Sequence, residues 1–129
     1  MNLFSFKVDV IFLISDGDIS AYSWNYSRER ALRHMKRIAE FHGLEGELKE
    51  SPRLERWLEA ELRKVVLEGE VFKLPNFNYV NKSVYEELLK IPRGSTMTYS
   101  QLAKSSRVKY HKVLTTLLRN PFQILHSMP

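Results

Sequence analysis

Residues 84–121 read VYEELLKIPRGSTMTYSQLAKSSRVKYHKVLTTLLRNP and contain the clearest structural pattern of this chain. Apolar residues recur at helical spacing at the start of this stretch, and Ile91-Pro92-Arg93-Gly94 ends the first helix. Two short helices are then predicted, over residues 99–104 and 110–119, with a tight connection over residues 105–109 between them. Two short helices joined by about four residues, after a longer helix, indicate a helix-turn-helix.

This stretch resembles the DNA-binding domain of O6-alkylguanine-DNA alkyltransferases, which are also called methylated-DNA–protein-cysteine methyltransferases. The family shows an apolar helix, then Ile-Pro-x-Gly, then Thr-Tyr-Gly-x-Ile/Leu-Ala, and a recognition helix that ends in Arg-Asn-Pro. Here residues 91–94, Thr98-Tyr99 and Arg119-Asn120-Pro121 stand in that order at matching spacing. The resemblance covers residues 80–125, and the first 79 residues match only as a small sheet-and-helix domain.

The resemblance implies a mechanism that this chain lacks the means to complete. In the family, a helix-turn-helix docks in the minor groove, a damaged guanine is flipped out, and a Cys in Pro-Cys-His-Arg takes its alkyl group. An ungapped continuation from Arg119-Asn120-Pro121 puts Ser127-Met128-Pro129 where the family has Pro-Cys-His, so that Met128 occupies the nucleophile's position. A thioether has no proton to lose, so we expect no alkyl transfer and no catalytic residue.

The resemblance also implies which residues contact DNA. Tyr99 matches a tyrosine that acts at the target phosphate, and Asn120 matches the residue that organises the turn after the recognition helix. His111 stands where the family inserts an Arg into the base stack, and Leu114 stands at a position that is usually Gly. The candidate DNA-binding residues are Tyr99, Arg107, Lys109, His111, Lys112, Thr115, Thr116, Arg119 and Asn120.

The charge distribution points to the same half of the chain. The formal net charge is +5, from 20 Lys and Arg residues against 15 Asp and Glu residues. Residues 81–129 hold 8 basic and 2 acidic side chains, whereas residues 1–80 hold 12 basic and 13 acidic ones. A concentrated positive charge favours contact with a polyanion, most often nucleic acid, and a solvated basic surface is the alternative. Together with the charge, the resemblance implies that the partner is double-stranded DNA, bound through its minor groove.

The preceding residues show the pattern of a small antiparallel sheet with two helices. The expected elements are, in order, strands over residues 4–15 and 19–24, a helix from Ser27 to Gly43, a polar loop over 43–50, a helix from Ser51 to Gly69 and a short strand or extended piece over 71–74. Asp16-Gly17-Asp18 supplies the turn between the strands. Trp57 lies on the apolar stripe of the second helix, which is assigned to the core. The run of Arg and Lys over residues 28–37 is interpreted as a solvated helix surface.

Residues 75–79 are interpreted as a linker, and Asn81 is the predicted N-cap of the next helix. The prediction is therefore an α+β fold. A small N-terminal antiparallel sheet with helices forms an α/β domain over residues 1–76. An alkyltransferase-like helix-turn-helix domain, winged-helix-like in type, follows over residues 80–129.

Composition excludes several classes of function. The chain has no cysteine, which excludes a disulfide scaffold, a thiol nucleophile and a Cys-ligated zinc or iron–sulfur site within it. No apolar run reaches the roughly 18 residues of a membrane span, and residues 1–10 do not resemble a signal peptide. A cytoplasmic location is expected, and the abundance of Lys, Arg and Glu favours a thermophilic source.

Other forms of chemistry find little support in the sequence. His34 and His42 match no metal-ligand spacing, so no metal site is expected. His126 and Ser127 are adjacent, but no acid is evident that would orient a Ser–His nucleophile. No small-molecule cofactor is expected.

Four functions fit these observations. The leading hypothesis is a cysteine-less, alkyltransferase-like protein that binds DNA without repairing it, in the context of alkylated guanine. The others are a truncated methylated-DNA–protein-cysteine methyltransferase, a helix-turn-helix DNA-binding regulator, and an interaction protein whose surfaces serve another partner.

Overall fold

Strands dominate the first quarter of the chain and helices dominate the rest. The computed structural model describes residues 1–3, 6–70, 72–92 and 95–123. In these residues the elements are β1 (Asn2–Leu3), β2 (Phe6–Lys7), β3 (Asp9–Ser15), β4 (Asp18–Asn25), α1 (Arg28–His42), β5 (Glu47–Lys49), α2 (Pro52–Glu68), α3 (Lys82–Leu89), α4 (Tyr99–Ser106) and α5 (Tyr110–Leu118). The predicted α+β fold is confirmed.

The main sheet has three antiparallel strands in the order β4-β3-β5, and β1 and β2 pair separately. Ser15 pairs with Asp18 across the predicted turn, where Asp16 and Gly17 both adopt positive φ angles of 51° and 82°. Two left-handed residues match the right-handed twist of a tight hairpin, which explains the Asp-Gly sequence. The expected single strand over residues 4–15 is wrong in its described part, because separate strands β2 and β3 replace it.

Strand β5 corrects a second expectation, the polar loop over residues 43–50. Its residues Glu47–Lys49 pair with β3, and all three side chains are exposed. A strand without a buried side carries no alternation of apolar residues, so the sequence had no periodic signal for it. The backbone reaches β3 closely at Gly46, where a Cβ atom would lie 2.1 Å from the Ile14 carbonyl oxygen.

Helices α1 and α2 begin and end where their capping residues predict. The Ser27 hydroxyl accepts a hydrogen bond from the Arg30 amide, and the Ser51 hydroxyl accepts one from the Leu54 amide. Gly43 and Gly69 end the helices in the left-handed conformation. Both predicted helices are confirmed.

The neighbourhood of α2 departs from prediction in two places. Trp57 is 40 % exposed rather than part of the core. It lines an open hollow of about 940 Å³ beside the β3–β4 turn and residues 72–78. Residues 72–74 form no strand, and Val71 lies outside the described residues.

The C-terminal helices pack around a small apolar cluster of Val84, Leu102 and Val113. Thr98 forms a capping box with Gln101 at the start of α4. Helix α4 continues to Ser106, so the connection to α5 is only Arg107–Lys109 and is shorter than expected. Arg107 ends α4 in the left-handed conformation, with φ 59°.

The largest core cluster draws side chains from both halves of the chain. It includes Phe12 and Tyr22 from the sheet, Tyr85 from α3, and Phe122. The Tyr22 amide donates a hydrogen bond of 2.9 Å to the Pro121 carbonyl oxygen. The division into domains over residues 1–76 and 80–129 stays a prediction. Across the described ranges, no helix is both long and apolar enough to cross a bilayer.

Candidate nucleic-acid interface

Most of the predicted DNA-binding side chains reach solvent around α4, the connecting turn and α5. Tyr99 is 46 % exposed at the first position of α4. The exposed basic and polar side chains on the turn and along α5 are Arg107, Lys109, His111, Lys112 and Thr115. Arg107, Lys109 and Lys112 lie within six consecutive residues, which concentrates positive charge there.

Thr116 and Asn120 instead hold the protein together. Thr116 is fully buried; its hydroxyl donates 2.8 Å to the Lys112 carbonyl oxygen and accepts 3.0 Å from the Asn81 side-chain amide. The Asn120 side-chain oxygen accepts a hydrogen bond of 2.9 Å from the Phe122 amide. Burial leaves Thr116 no path to a bound molecule, so we leave it out of the interface.

Asn81 takes a different role from the predicted one. It stands at the N-cap position of α3 but makes no side-chain capping bond there. Its φ angle is 52°, a left-handed conformation that Asn tolerates better than most residues. The amide is thereby directed to Thr116, so that Asn81 ties the start of α3 to α5.

The outward side of α5 is apolar. Tyr110, Leu114 and Leu118 are 59, 50 and 57 % exposed and follow one another at intervals of four residues. This spacing aligns them in one stripe along the helix. Leu114, which stands at a position where the resembled family has Gly, therefore adds its bulk to the open surface.

His42 joins the end of α1 to the end of α5. The ring is buried, and its Nδ1 accepts 3.0 Å from the Val80 amide, which leaves the proton on Nε2. Nε2 donates 2.8 Å to the Arg119 carbonyl oxygen, and the Tyr85 hydroxyl lies 3.2 Å from the same nitrogen. Burial lowers the pKa of His42, so the ring stays neutral.

A groove separates α1 from α5 above this buried histidine. One hollow of about 330 Å³ lies at its upper end, lined by Phe41, Val80, Asn81, His111, Lys112 and Thr115. His34, eight residues before His42 on α1, lies close enough to the Arg119 side chain for the two to interact electrostatically. We call the space between His34, Arg37 and Phe41 on one helix, and Lys112, Thr115 and Arg119 on the other, the α1–α5 groove.

Metal and nucleophile sites find no support in the described ranges. No group of three or more His, Asp or Glu residues there could hold a metal ion. Met128, the residue at the position of the family's nucleophile, lies outside the described residues, as do His126 and Ser127.

No protein-family model matches this sequence, and no curated protein matches it significantly. A solved structure does. The fold is similar to that of an O6-methylguanine-DNA methyltransferase from the hyperthermophilic archaeon Pyrococcus kodakaraensis. The two share 25% sequence identity and a TM-score of 0.66 over 90% of this chain and 74% of the methyltransferase. The likeness therefore extends well beyond residues 80–125, into the sheet and its helices.

The basic residues of α1 are exposed, as expected, but sequence reasoning did not show that this helix lies near α5. The basic run over residues 28–37 was interpreted as a solvated surface, and only the structure brings part of it opposite α5. The helical spacing of Arg30, His34, Arg37 and Phe41 carried a usable signal, because these residues share one side of the helix. Which element this side of α1 lies next to depends on tertiary packing, which the sequence does not show.

Proposed function

We propose that this chain is an alkyltransferase-like protein that binds double-stranded DNA and does not transfer alkyl groups. The observation that carries the proposal is the structural similarity to the methyltransferase. The family motifs over residues 91–121 agree with it, because Thr98-Tyr99 stands at the start of α4 and Arg119-Asn120-Pro121 directly follows α5. We further propose that residues 80–129 act as the DNA-binding part.

The α4–turn–α5 region is the proposed DNA contact. Lys109 and Lys112 are exposed and are the basic residues nearest the start of α5. Neutralisation of phosphates by Lys and Arg supplies most of the affinity of such proteins and makes it dependent on salt. Tyr99 and Arg107 extend this surface, so that phosphate contacts would orient α5 on the duplex.

The absence of alkyl transfer follows from chemistry rather than geometry. The 129 residues include no cysteine. A thiolate accepts an alkyl group and becomes a neutral thioether, whereas the Met128 side chain is a thioether already. The proposed role is therefore recognition of DNA, in the context of alkylated guanine, without repair by this chain.

Fluorescence anisotropy with a short duplex tests the proposal, with and without one O6-methylguanine. We expect binding that weakens steeply with salt and that the double variant Lys109→Gln/Lys112→Gln reduces by at least tenfold. Lys7→Gln/Lys49→Gln removes the same charge from exposed positions on the strands and should bind like the wild type. Absence of binding at low salt would overturn the proposal.

Two further measurements test the two more specific parts of the proposal, the role at alkylated guanine and the absence of alkyl transfer. Tighter binding to the lesion duplex supports a role at alkylated guanine, whereas equal binding to both duplexes leaves only general DNA binding. A protein mass that increases by one methyl group after incubation with the lesion duplex would refute the absence of transfer.

The apolar stripe of α5 favours a second candidate, a dimeric helix-turn-helix regulator. Exposed Tyr110, Leu114 and Leu118 could pack against a second copy, and regulators of this type bind DNA as dimers. Size-exclusion chromatography with light scattering decides between the two. A dimer that Leu114→Lys converts to a monomer supports the regulator, and a monomeric wild type excludes that form of it.

A further inference from the structure

In the described part of the chain, three basic groups of the α1–α5 groove have no acidic partner, and neither has Arg30, which lies on the same side of α1 as Arg37. Among the described residues, Arg30, Arg37, Lys112 and Arg119 form no ion pair within 4.0 Å. By contrast, Arg28 and Arg33, also on α1, pair with Glu50 and Glu29. The positive charge that faces the groove is thus uncompensated.

Side chains of α1 and α5 approach each other at two places. His34 on α1 interacts electrostatically with Arg119 at one end, and Phe41 shares a hollow with Lys112 at the other. Seven residues separate the two positions on each helix, which corresponds to roughly 10 Å of helix axis.

The pKa of His34 reflects the positive charge of its surroundings. Partial burial lowers the pKa of His34, and the positive charges of Arg119 and Arg37 lower it further. A third cation is disfavoured there because no anion offsets the two guanidinium groups.

We propose that the α1–α5 groove is a second phosphate-binding track, in which basic side chains of α1 and α5 hold the backbone of the DNA molecule that the α4–turn–α5 region binds. This inference rests on the proposed function. It extends the DNA contact to the N-terminal half of the chain, which the sequence motifs did not assign to binding.

The dimensions of the groove favour a nucleic-acid strand over a small anion. Arg30 and Arg37 lie seven residues apart on one side of α1, or roughly 10 Å along its axis. Successive phosphates of one strand of B-DNA rise about 3.4 Å along the duplex. A row of this length thus spans about three such steps, which is more than one small anion occupies.

The test compares Arg37→Gln with Lys36→Gln in the full chain, using anisotropy with a plain duplex at several salt concentrations. The two neighbours are both exposed and carry the same charge, but Lys36 lies about 100° around the helix, away from the groove. We expect Arg37→Gln to weaken binding by about three- to tenfold and to reduce the salt slope by about 1, while Lys36→Gln has no effect.

The outcomes separate this inference from the proposed function. If the wild type binds and depends on Lys109 and Lys112, but Arg37→Gln behaves like Lys36→Gln, the groove is not a phosphate track and the proposed function stands. If the wild type does not bind any duplex, both fail. Thermal unfolding of each variant excludes a loss of fold as the cause.

Discussion

Nε2 of His42 lies 2.8 Å from the carbonyl oxygen of Arg119, and this bond ties the last residue of α1 to the residue that ends α5. The two residues are 77 positions apart in sequence. Because this bond joins the end of α1 to the end of α5, a neutral His42 helps to fix how the two helices stand relative to each other.

Replacement of His42 by Leu should destabilise the fold by about 2–4 kcal/mol. Leu keeps much of the buried volume, but the Val80 amide loses its acceptor and the Arg119 carbonyl loses its shortest donor. Urea unfolding followed by circular dichroism measures the loss. His34→Gln, which alters a half-buried histidine on the same helix, is the control and should change the free energy of unfolding by less than about 1 kcal/mol. Equal losses in the two variants would contradict a special role for His42.

Stability should fall as the solution becomes acidic, with His42 responsible for part of the fall. Burial lowers the pKa of His42 from its ordinary 6.5, so the unfolded chain binds the proton more readily than the folded one. The contribution of the neutral ring is therefore complete above pH 6.5 and is lost as the pH falls from 6.5 towards the lower folded-state pKa.

The measurement is the urea concentration at the midpoint of unfolding, determined from pH 8 to pH 5 for the wild type and His42→Gln. We expect the midpoint of the wild type to drop more steeply, because Gln does not titrate. The pKa of His34 is lowered as well, so His34→Gln is measured in parallel to separate the two contributions. Identical slopes for wild type and His42→Gln would show that His42 does not carry the effect.

The adjacent residues Thr115 and Thr116 should respond differently to the same change. Thr116→Val leaves the Asn81 amide without its buried acceptor, which should cost about 1–3 kcal/mol. Thr115→Val alters an exposed side chain and should leave stability within about 0.5 kcal/mol. Chemical denaturation of both variants makes the comparison, and a larger loss at Thr115 would contradict the described packing of α5.

The sequence was a good guide wherever a local signal defines an element. Ser27 and Gly43 bracket α1, and the Asp-Gly turn joins β3 to β4, since capping and turn geometry depend on a few neighbouring residues. The resemblance over residues 91–121 likewise agreed with the fold that the structural comparison found.

Features that depend on contacts between residues far apart in sequence could not be predicted from local sequence signals. Strand β5 has no buried side chain, so only its pairing with β3 reveals it. His42 carried no sign in sequence that it would bond to Arg119, and Thr116 could be recognised as buried only once α3 had been positioned against α5. The position of α1 relative to α5, on which the groove depends, likewise results from packing between residues that are distant in sequence.

DNA binding should raise the pKa of His34. In the free protein, Arg119 and Arg37 disfavour its protonation. Phosphates in the α1–α5 groove would offset both guanidinium groups and favour the imidazolium ion. The pKa of His34 should therefore be higher in the complex, the protein should take up protons on binding, and affinity should increase as the pH falls towards that value. NMR titration of the assigned His34 ring, with and without duplex, measures the shift, and the Arg37→Gln variant should reduce it. An unchanged His34 pKa in a complex that depends on Lys109 and Lys112 would mean that DNA does not enter the groove.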